Sequence, residues 1–256
     1  MTKISGIQKI KNFNKNGYTI IKVFERNDIK DLISIIKKRF SFLSNNQVRI
    51  KFLSKLHKEK MSQNAYEKII KSSTRYIDIG GKKLKKVYFN NDLRSCIKSL
   101  WDHSNMKIVW VGDPKKLELK NNRVGFRIAR PSNKLDVAKE HIDMYNKDLK
   151  SFVSLWVPLI GFDPKYTLQI YPKSHKFSHK KNIFAKKNKI SRTLKKNYFN
   201  KLKKERPKLK IGEGILFHPN SIHGGSYNTG KITRASIEFR IFNKHKFDKT
   251  KTFNLT

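Results

Sequence analysis

Acidic residues are scarce in this chain. Among 256 residues, 19 Asp and Glu stand against 59 Lys and Arg, a formal net charge of +40. Such a surface repels cations and attracts anions over long range, whether substrate, partner, nucleic acid or membrane surface. High Lys, Asn, Ile and Phe usage fits an AT-rich genome. Glu codons are also A-rich, yet Glu stays rare, so that bias does not remove the imbalance. Cysteine is nearly absent. The single Cys96 excludes an intramolecular disulfide and fits a reducing, cytoplasmic setting. Nothing in the sequence beside it marks a reactive thiol, so it is expected to be a small buried residue. No apolar run is long enough to span a bilayer. The N-terminus shows no apolar core of signal-peptide type, and no internal repeat is visible.

The length suffices for a full core and is most simply read as one domain, residues 1–256. The N-terminal part, about 10–119, is expected to supply helices. One begins near Asp28, read as its N-cap with Asp31 three residues on, and carries Ile29, Leu32, Ile33, Ile36 and Phe40 on one face. A second is expected over Gln47 to Ser73. From about Lys120 to Phe242 strand-like runs alternate, as in a mostly β, double-stranded antiparallel barrel of jelly-roll, cupin-like type, its core about 120–242. The segment 173–210 reads as an insertion, with sixteen Lys or Arg and one acid, Glu205. Within it Ile190, Leu194, Tyr198 and Leu202 recur every four residues, as on an amphipathic helix. Two readings stay open there: a solvated helix covering the barrel, or a basic lid that recruits an anionic group.

Against this background one constellation carries chemistry. His141 and Asp143 are two residues apart, so on a strand both side chains face one way. The segment Phe217-His218-Pro219-Asn220-Ser221-Ile222-His223 offers a third donor, and His223 is preferred over His218. Two imidazoles and one carboxylate are the ligand set of non-haem iron(II) oxygenases, which leaves other coordination positions open. Arg234 follows His223 with ten residues between them. Gly224, Gly225, Asn228 and Gly230 in that interval are turn formers, so His223 and Arg234 are expected on two paired strands joined by a hairpin. The run Ile232 to Ile241 alternates like a half-buried strand. Arg234 and Ser236 share a face of it, and a guanidinium fork suits a carboxylate.

These residues resemble the phytanoyl-CoA dioxygenase-like branch of the iron(II)/2-oxoglutarate oxygenases. The opening Asn16 to Phe24, the run Ser154-Leu155-Trp156-Val157-Pro158-Leu159, the segment Leu168 to His175 and the turn Gly212-Glu213-Gly214 are similar to that family's flanking motifs. Lys173 stands where the family has Gly, and Glu213 where it has Asp. The resemblance spans roughly Phe13 to Phe242. It implies iron on His141, Asp143 and His223, and 2-oxoglutarate on Arg234, with Ser236 and Trp156 nearby and Arg127 as the choice for the co-substrate's other end. It implies a dioxygen-dependent oxidation of a substrate C–H bond coupled to decarboxylation of 2-oxoglutarate. Halogenases of the superfamily lack the carboxylate ligand, so Asp143 favours hydroxylation or another oxidation. The substrate expected is a small molecule or a carrier-linked group, anionic in view of the charge. Nucleic acid ranks lower as a partner: DNA-repair demethylases of the superfamily carry a second Arg where this chain has Thr229. A barrel without turnover is the remaining alternative. His175 is expected to be structural or pocket-lining, Trp101 and Trp110 core aromatics, and His57, His103, His179 and His245 exposed.

Overall fold

A computed structural model describes residues 6–43, 52–59, 64, 66, 76–109, 123–143, 152–177, 194–224 and 227–243. Among them, nine strands form: β1 (Tyr18–Lys22), β2 (Tyr76–Asp78), β3 (Met106–Val109), β4 (Arg123–Ala129), β5 (Phe152–Ile160), β6 (Gln169–Ile170), β7 (Glu213–Phe217), β8 (His223–Gly224) and β9 (Arg234–Asn243). Seven make one antiparallel sheet in the order β1-β7-β5-β9-β4-β2, with β3 pairing the far end of β9, while β6 and β8 form a separate pair. This is the expected mostly antiparallel sheet with flanking helices. Closure into a barrel is not seen among the described residues, because the large sheet and the β6-β8 pair share no ladder.

The central strand, β9, is buried along its whole length. The alternation in its sequence therefore does not separate core from solvent. Ala235, Ile237, Phe239 and Ile241 join the main apolar core with Val153, Leu155, Val157 and Leu159 of β5. The opposite face carries Arg234, Ser236, Glu238 and Arg240, all buried. A row of buried polar side chains is costly unless partners are supplied, and that face is turned toward the β6-β8 pair. Between the two lie Trp156, Leu168, Ile170, Leu209, Ile215 and Phe217.

Helices α1 (Gly6–Asn16), α2 (Arg26–Leu43), α3 (Gly81–Tyr88) and α4 (Asn91–Trp101) cover the apolar side. In α2 the apolar stripe is as expected, with Ile29, Leu32, Ile36 and Phe40 buried and Ile33 packed against them. The helix begins earlier than the sequence reading placed it. Asp28 accepts from the Glu25 backbone N–H at 3.0 Å, so it caps from inside the first turn rather than from the N-cap position. Asn90 caps α4 by accepting from Leu93 N–H at 2.8 Å and ties the helix to β1 by donating to Lys22 O. Of the helix expected over 47–73, the described residues show a 3-10 segment, Leu53–Lys58, and place Asn64 and Tyr66 in helix. Gly212, at φ +82°, makes the tight turn that brings β7 beside β1; a Cβ there would meet the Phe24 carbonyl oxygen at 1.8 Å.

In the basic segment, the four-residue spacing does not make one helix across the described part. A short helix, α5 (Lys196–Phe199), follows Leu194; of its apolar residues and their neighbours, Leu194 and Phe199 are buried, with Tyr198 and Leu202 only partly covered. Ile190 lies outside the described residues, as do Trp110, His179 and His245.

Candidate metal centre and carboxylate pocket

His141 and Asp143 do not sit on a regular strand. His141 makes one antiparallel bridge to His223, its N–H donating to His223 O at 2.9 Å and accepting the reverse bond at 3.0 Å. The Asp143 N–H donates to Pro219 O at 2.8 Å. Two short backbone links thus do what a strand was expected to do. They bring His141, Asp143 and His223 together, with one donor atom of each within 4.8 Å of the others. His141 Nε2 and His223 Nε2 each lie 4.0 Å from an Asp143 oxygen, a spread that one ion with bonds of about 2.0–2.2 Å can draw together.

The ring orientation follows from the far nitrogens. His141 Nδ1 is 2.7 Å from Lys139 O and His223 Nδ1 is 3.0 Å from Ser221 O. A carbonyl can only accept, so both Nδ1 atoms carry the proton and both Nε2 lone pairs face the shared space. That arrangement is the one a histidine–metal site needs. Gly224 permits the close approach: at φ +120°, a Cβ would lie 2.7 Å from Lys139 O and 3.1 Å from His141 Nδ1.

Two residues missed as site residues in the sequence hold the carboxylate. Ser154 Oγ on β5 donates to Asp143 Oδ2 at 2.6 Å, and Arg240 Nη2 on β9 donates to Oδ1 at 3.0 Å. Burial alone would push the Asp143 carboxyl up. Arg240 beside it, with His223, His141 and the Ser154 hydroxyl, outweighs that and holds it well below the usual carboxylate range. Strand alternation from Arg234 places Arg240 on the same face, but no local pattern names the charge it meets. Removing one partner of a buried pair costs about 3–5 kcal/mol. Arg240→Leu is therefore expected to lower the metal-free melting temperature by on the order of 10 °C, read by calorimetry. The Asp143→Leu/Arg240→Leu double variant should lose less than Arg240→Leu alone. A depressed carboxyl stabilises above its ordinary pKa and loses that contribution as pH falls through the folded value, so the wild type's advantage should disappear only in strong acid.

Above the triad lies a cavity of about 220 Å³, lined by His141, His223, Trp156, Arg127, Arg234 and Glu238 among others. Arg234 is 5% exposed. Its Nη1 donates to Tyr166 O at 3.2 Å, its guanidinium stands 5.8 Å from the Trp156 ring centre, and its Nε has no hydrogen bond. The Ser236 and Thr167 hydroxyls are likewise buried without partners. Burial first, then the nearby Arg127 and Arg206, pulls the Arg234 guanidinium down to about 10, so it remains charged at neutral pH. Arg127 stands opposite Ser236 across the β4-β9 ladder and pairs with Glu238 at 3.5 Å. Its charge is thus already partly matched, by a carboxylate the sequence reading had not singled out.

The expected pairing of His223 with Arg234 does not occur. His223 belongs to the β6-β8 pair, while Arg234 opens β9 in the large sheet, and the two face each other across the cavity. Of the turn formers between them, Asn228 donates to Ala129 O and Ile232 O, and His223 and Arg234 end up in different sheets rather than on the two arms of a hairpin. His218 lies outside the triad, its ring tilted against Phe13 and His175. His57 and His103, expected exposed, are half-buried; His57 Nδ1 is 2.9 Å from the Thr233 hydroxyl. Trp101 packs at the core's edge. Cys96 is buried, which pushes its thiol up to about 11, as an inert core residue requires.

No protein-family model matches the chain, and no curated protein matches its sequence. Solved structures match its fold. AviO1 from Streptomyces viridochromogenes Tue57 superposes with a TM-score of 0.60 at 11% identity, over 95% of this chain and 97% of that one. The non-haem α-ketoglutarate-dependent carbocyclase SnoK from nogalamycin biosynthesis gives 0.58 at 11%, over 95% and 84%. EctD from S. alaskensis, crystallised with 2-oxoglutarate and 5-hydroxyectoine, gives 0.56 at 14%, over 96% and 79%. The chain shares its fold with these proteins.

Proposed function

We propose that this chain is an iron(II)- and 2-oxoglutarate-dependent oxygenase acting on a small molecule or carrier-linked group, with residues 1–256 working as one domain in a reducing compartment. One observation carries the reading. A buried guanidinium with an unsatisfied Nε, Arg234, lines the same cavity as a preoriented His–Asp–His set. A buried charge left short of partners is expensive, and a ligand carboxylate is the partner that would satisfy it, helped by the Ser236 hydroxyl. SnoK, which is α-ketoglutarate-dependent, and EctD, crystallised with 2-oxoglutarate, use the matching compound, α-ketoglutarate being 2-oxoglutarate.

His141 Nε2, Asp143 and His223 Nε2 would hold iron(II), which when bound supplies the activation of dioxygen and leaves positions open for ligands. The protein's own residues do the rest. Arg240 and Ser154 fix the carboxylate, Lys139 O and Ser221 O fix the rings, and Trp156, Leu168 and Phe217 keep water from the cavity. A volume of about 220 Å³ is below the roughly 300–1,000 Å³ of ordinary small-molecule sites. It accommodates the co-substrate and the reacting end of a substrate, whose remainder lies over the rim formed by residues 135–138. Leu135, 77% exposed, offers that remainder an apolar contact. Hydroxylation is the simplest outcome of such a site, and an anionic substrate fits the surface charge.

Succinate formation from 2-oxoglutarate under air, in the wild type and in His141→Ala, tests the reading. Iron-dependent succinate in the wild type and none in the variant is the expected result. Equal succinate from both, or no iron-dependent binding of 2-oxoglutarate by the wild type, would overturn it. Because Arg234 is buried, 2-oxoglutarate affinity should vary little with salt, whereas exposed charge recognition is screened over about 8 Å at physiological ionic strength.

A further inference from the structure

A second concavity lies outside the cavity just described. It measures about 580 Å³ and is lined by Lys139, Lys195, Lys196 and Lys204 around Tyr171, Leu194, Phe199 and Leu202. The lysines come from separate stretches of the chain. Lys139 belongs to the segment that leads into His141, and the other three belong to the basic insertion. The Leu194 N–H donates to Glu140 O at 3.0 Å and pins the insertion to that segment. None of the four lysines has an ion-pair partner among the described residues, in contrast with Lys203, which pairs with Glu205 at 3.3 Å, and Lys86, which pairs with Asp28 at 2.9 Å.

From this we propose that the groove is a binding site for a phosphorylated small molecule with an apolar body, separate from the metal site and independent of the oxygenase reading. Ammonium groups on flexible stems suit a phosphate approached from several sides. Four of them converge on one hollow whose volume falls in the range of small-molecule sites. The partly covered Leu202 and the aliphatic stems of the lysines give the ligand's body something to cover. Glu140 is the one acid in the lining; its Oε1 accepts from Gln169 Nε2 at 3.3 Å. A carboxylate there selects for a hydroxyl or amine on the same ligand and disfavours a uniformly anionic one.

The net charge invites nucleic acid as the occupant instead, but the groove is built differently from such a surface. Single strands bind by stacking bases on open aromatic faces along a positive track. Tyr171 and Phe199 are 3% and 7% exposed, so neither offers a ring face. The hollow is local, and its four lysines come from two stretches of the chain.

The test uses the full-length protein, with phenyl phosphate, inorganic phosphate and a single-stranded oligonucleotide as probes in calorimetry. Phenyl phosphate should bind once per chain, about tenfold tighter than inorganic phosphate, the effect of covering on the order of 60 Å² of apolar surface. The Lys139→Gln/Lys195→Gln/Lys196→Gln/Lys204→Gln variant should lose at least about tenfold, since each lysine makes a charge-assisted contact. Lys11→Gln/Lys38→Gln/Lys85→Gln/Lys98→Gln removes the same charge at exposed positions that line neither cavity, and should leave binding nearly unchanged. All eight lysines are exposed, so matching melting curves will show both variants folded. Equal weakening in the two variants would overturn the proposal, because net charge alone would then explain the binding. So would a groove variant that loses oligonucleotide binding in a protein that never bound phenyl phosphate.

Discussion

Purified His223→Ala protein is expected to retain no iron(II) under conditions where the wild type holds one ion per chain. His141→Ala and Asp143→Ala should behave alike. Three side chains are the whole protein contribution to a facial site, and loss of one removes a bond rather than a supporting contact. Loss of an outer partner typically costs 10- to 100-fold in metal affinity, so loss of a ligand should exceed about 100-fold. The control is His218→Ala. Its ring packs with Phe13 and His175, away from the triad, so its metal content should match the wild type. Equilibrium dialysis with metal analysis reads all four. Stoichiometric iron in His223→Ala, or its loss in His218→Ala, would show the third ligand misassigned.

Arg234→Ala should act on the co-substrate and spare the metal. Removing a bidentate, charge-assisted partner of a buried carboxylate costs about 2–5 kcal/mol, or roughly 30- to 5,000-fold in 2-oxoglutarate affinity. Arg234→Lys should recover part of this, because an ammonium restores charge without the fork. A second consequence separates a ligand-binding role from a structural one. With no ligand bound, Arg234 is a buried charge with an unsatisfied Nε, which costs stability. Arg234→Met should therefore melt no lower than the wild type when 2-oxoglutarate is absent, and should lose the wild type's gain in melting temperature when it is added. A large drop in the ligand-free melting temperature, with unchanged 2-oxoglutarate affinity, would mark Arg234 as a framework residue.

The residues that converge at the candidate site were mostly legible in the sequence. Spacing and residue chemistry named His141, Asp143, His223 and Arg234, because ligand types are few and each has a recognisable partner. How the chain delivers them was less visible. An i, i+2 pair reads as a strand, yet a single bridge and the Asp143–Pro219 contact achieve the same convergence. Glycines and Asn228 between His223 and Arg234 read as a hairpin because turn chemistry is local. Whether the chain returns to the same sheet or crosses to another is decided by long-range packing. The same limit hid Arg240 and Ser154. Each is unremarkable in its own strand, and only the approach of Asp143 gives it a task. In β9 the alternation was legible but its meaning was not. Polar residues on a strand face usually mark solvent, whereas here they mark a buried site. The helix expected from Ile190 to Leu202 shows a further weakness: a spacing of four over a few residues is weak evidence, and the described part holds only the short helix Lys196–Phe199.

The most direct measurement is a crystal structure of the protein grown anaerobically with manganese(II), as a redox-stable substitute for iron(II), and 2-oxoglutarate. The expected result is one metal ion bound by His141 Nε2, Asp143 and His223 Nε2, with 2-oxoglutarate in the adjoining cavity and its distal carboxylate on Arg234 and the Ser236 hydroxyl. Metal bound elsewhere with the triad empty, or 2-oxoglutarate lying away from a still unpartnered Arg234, would contradict the assignment.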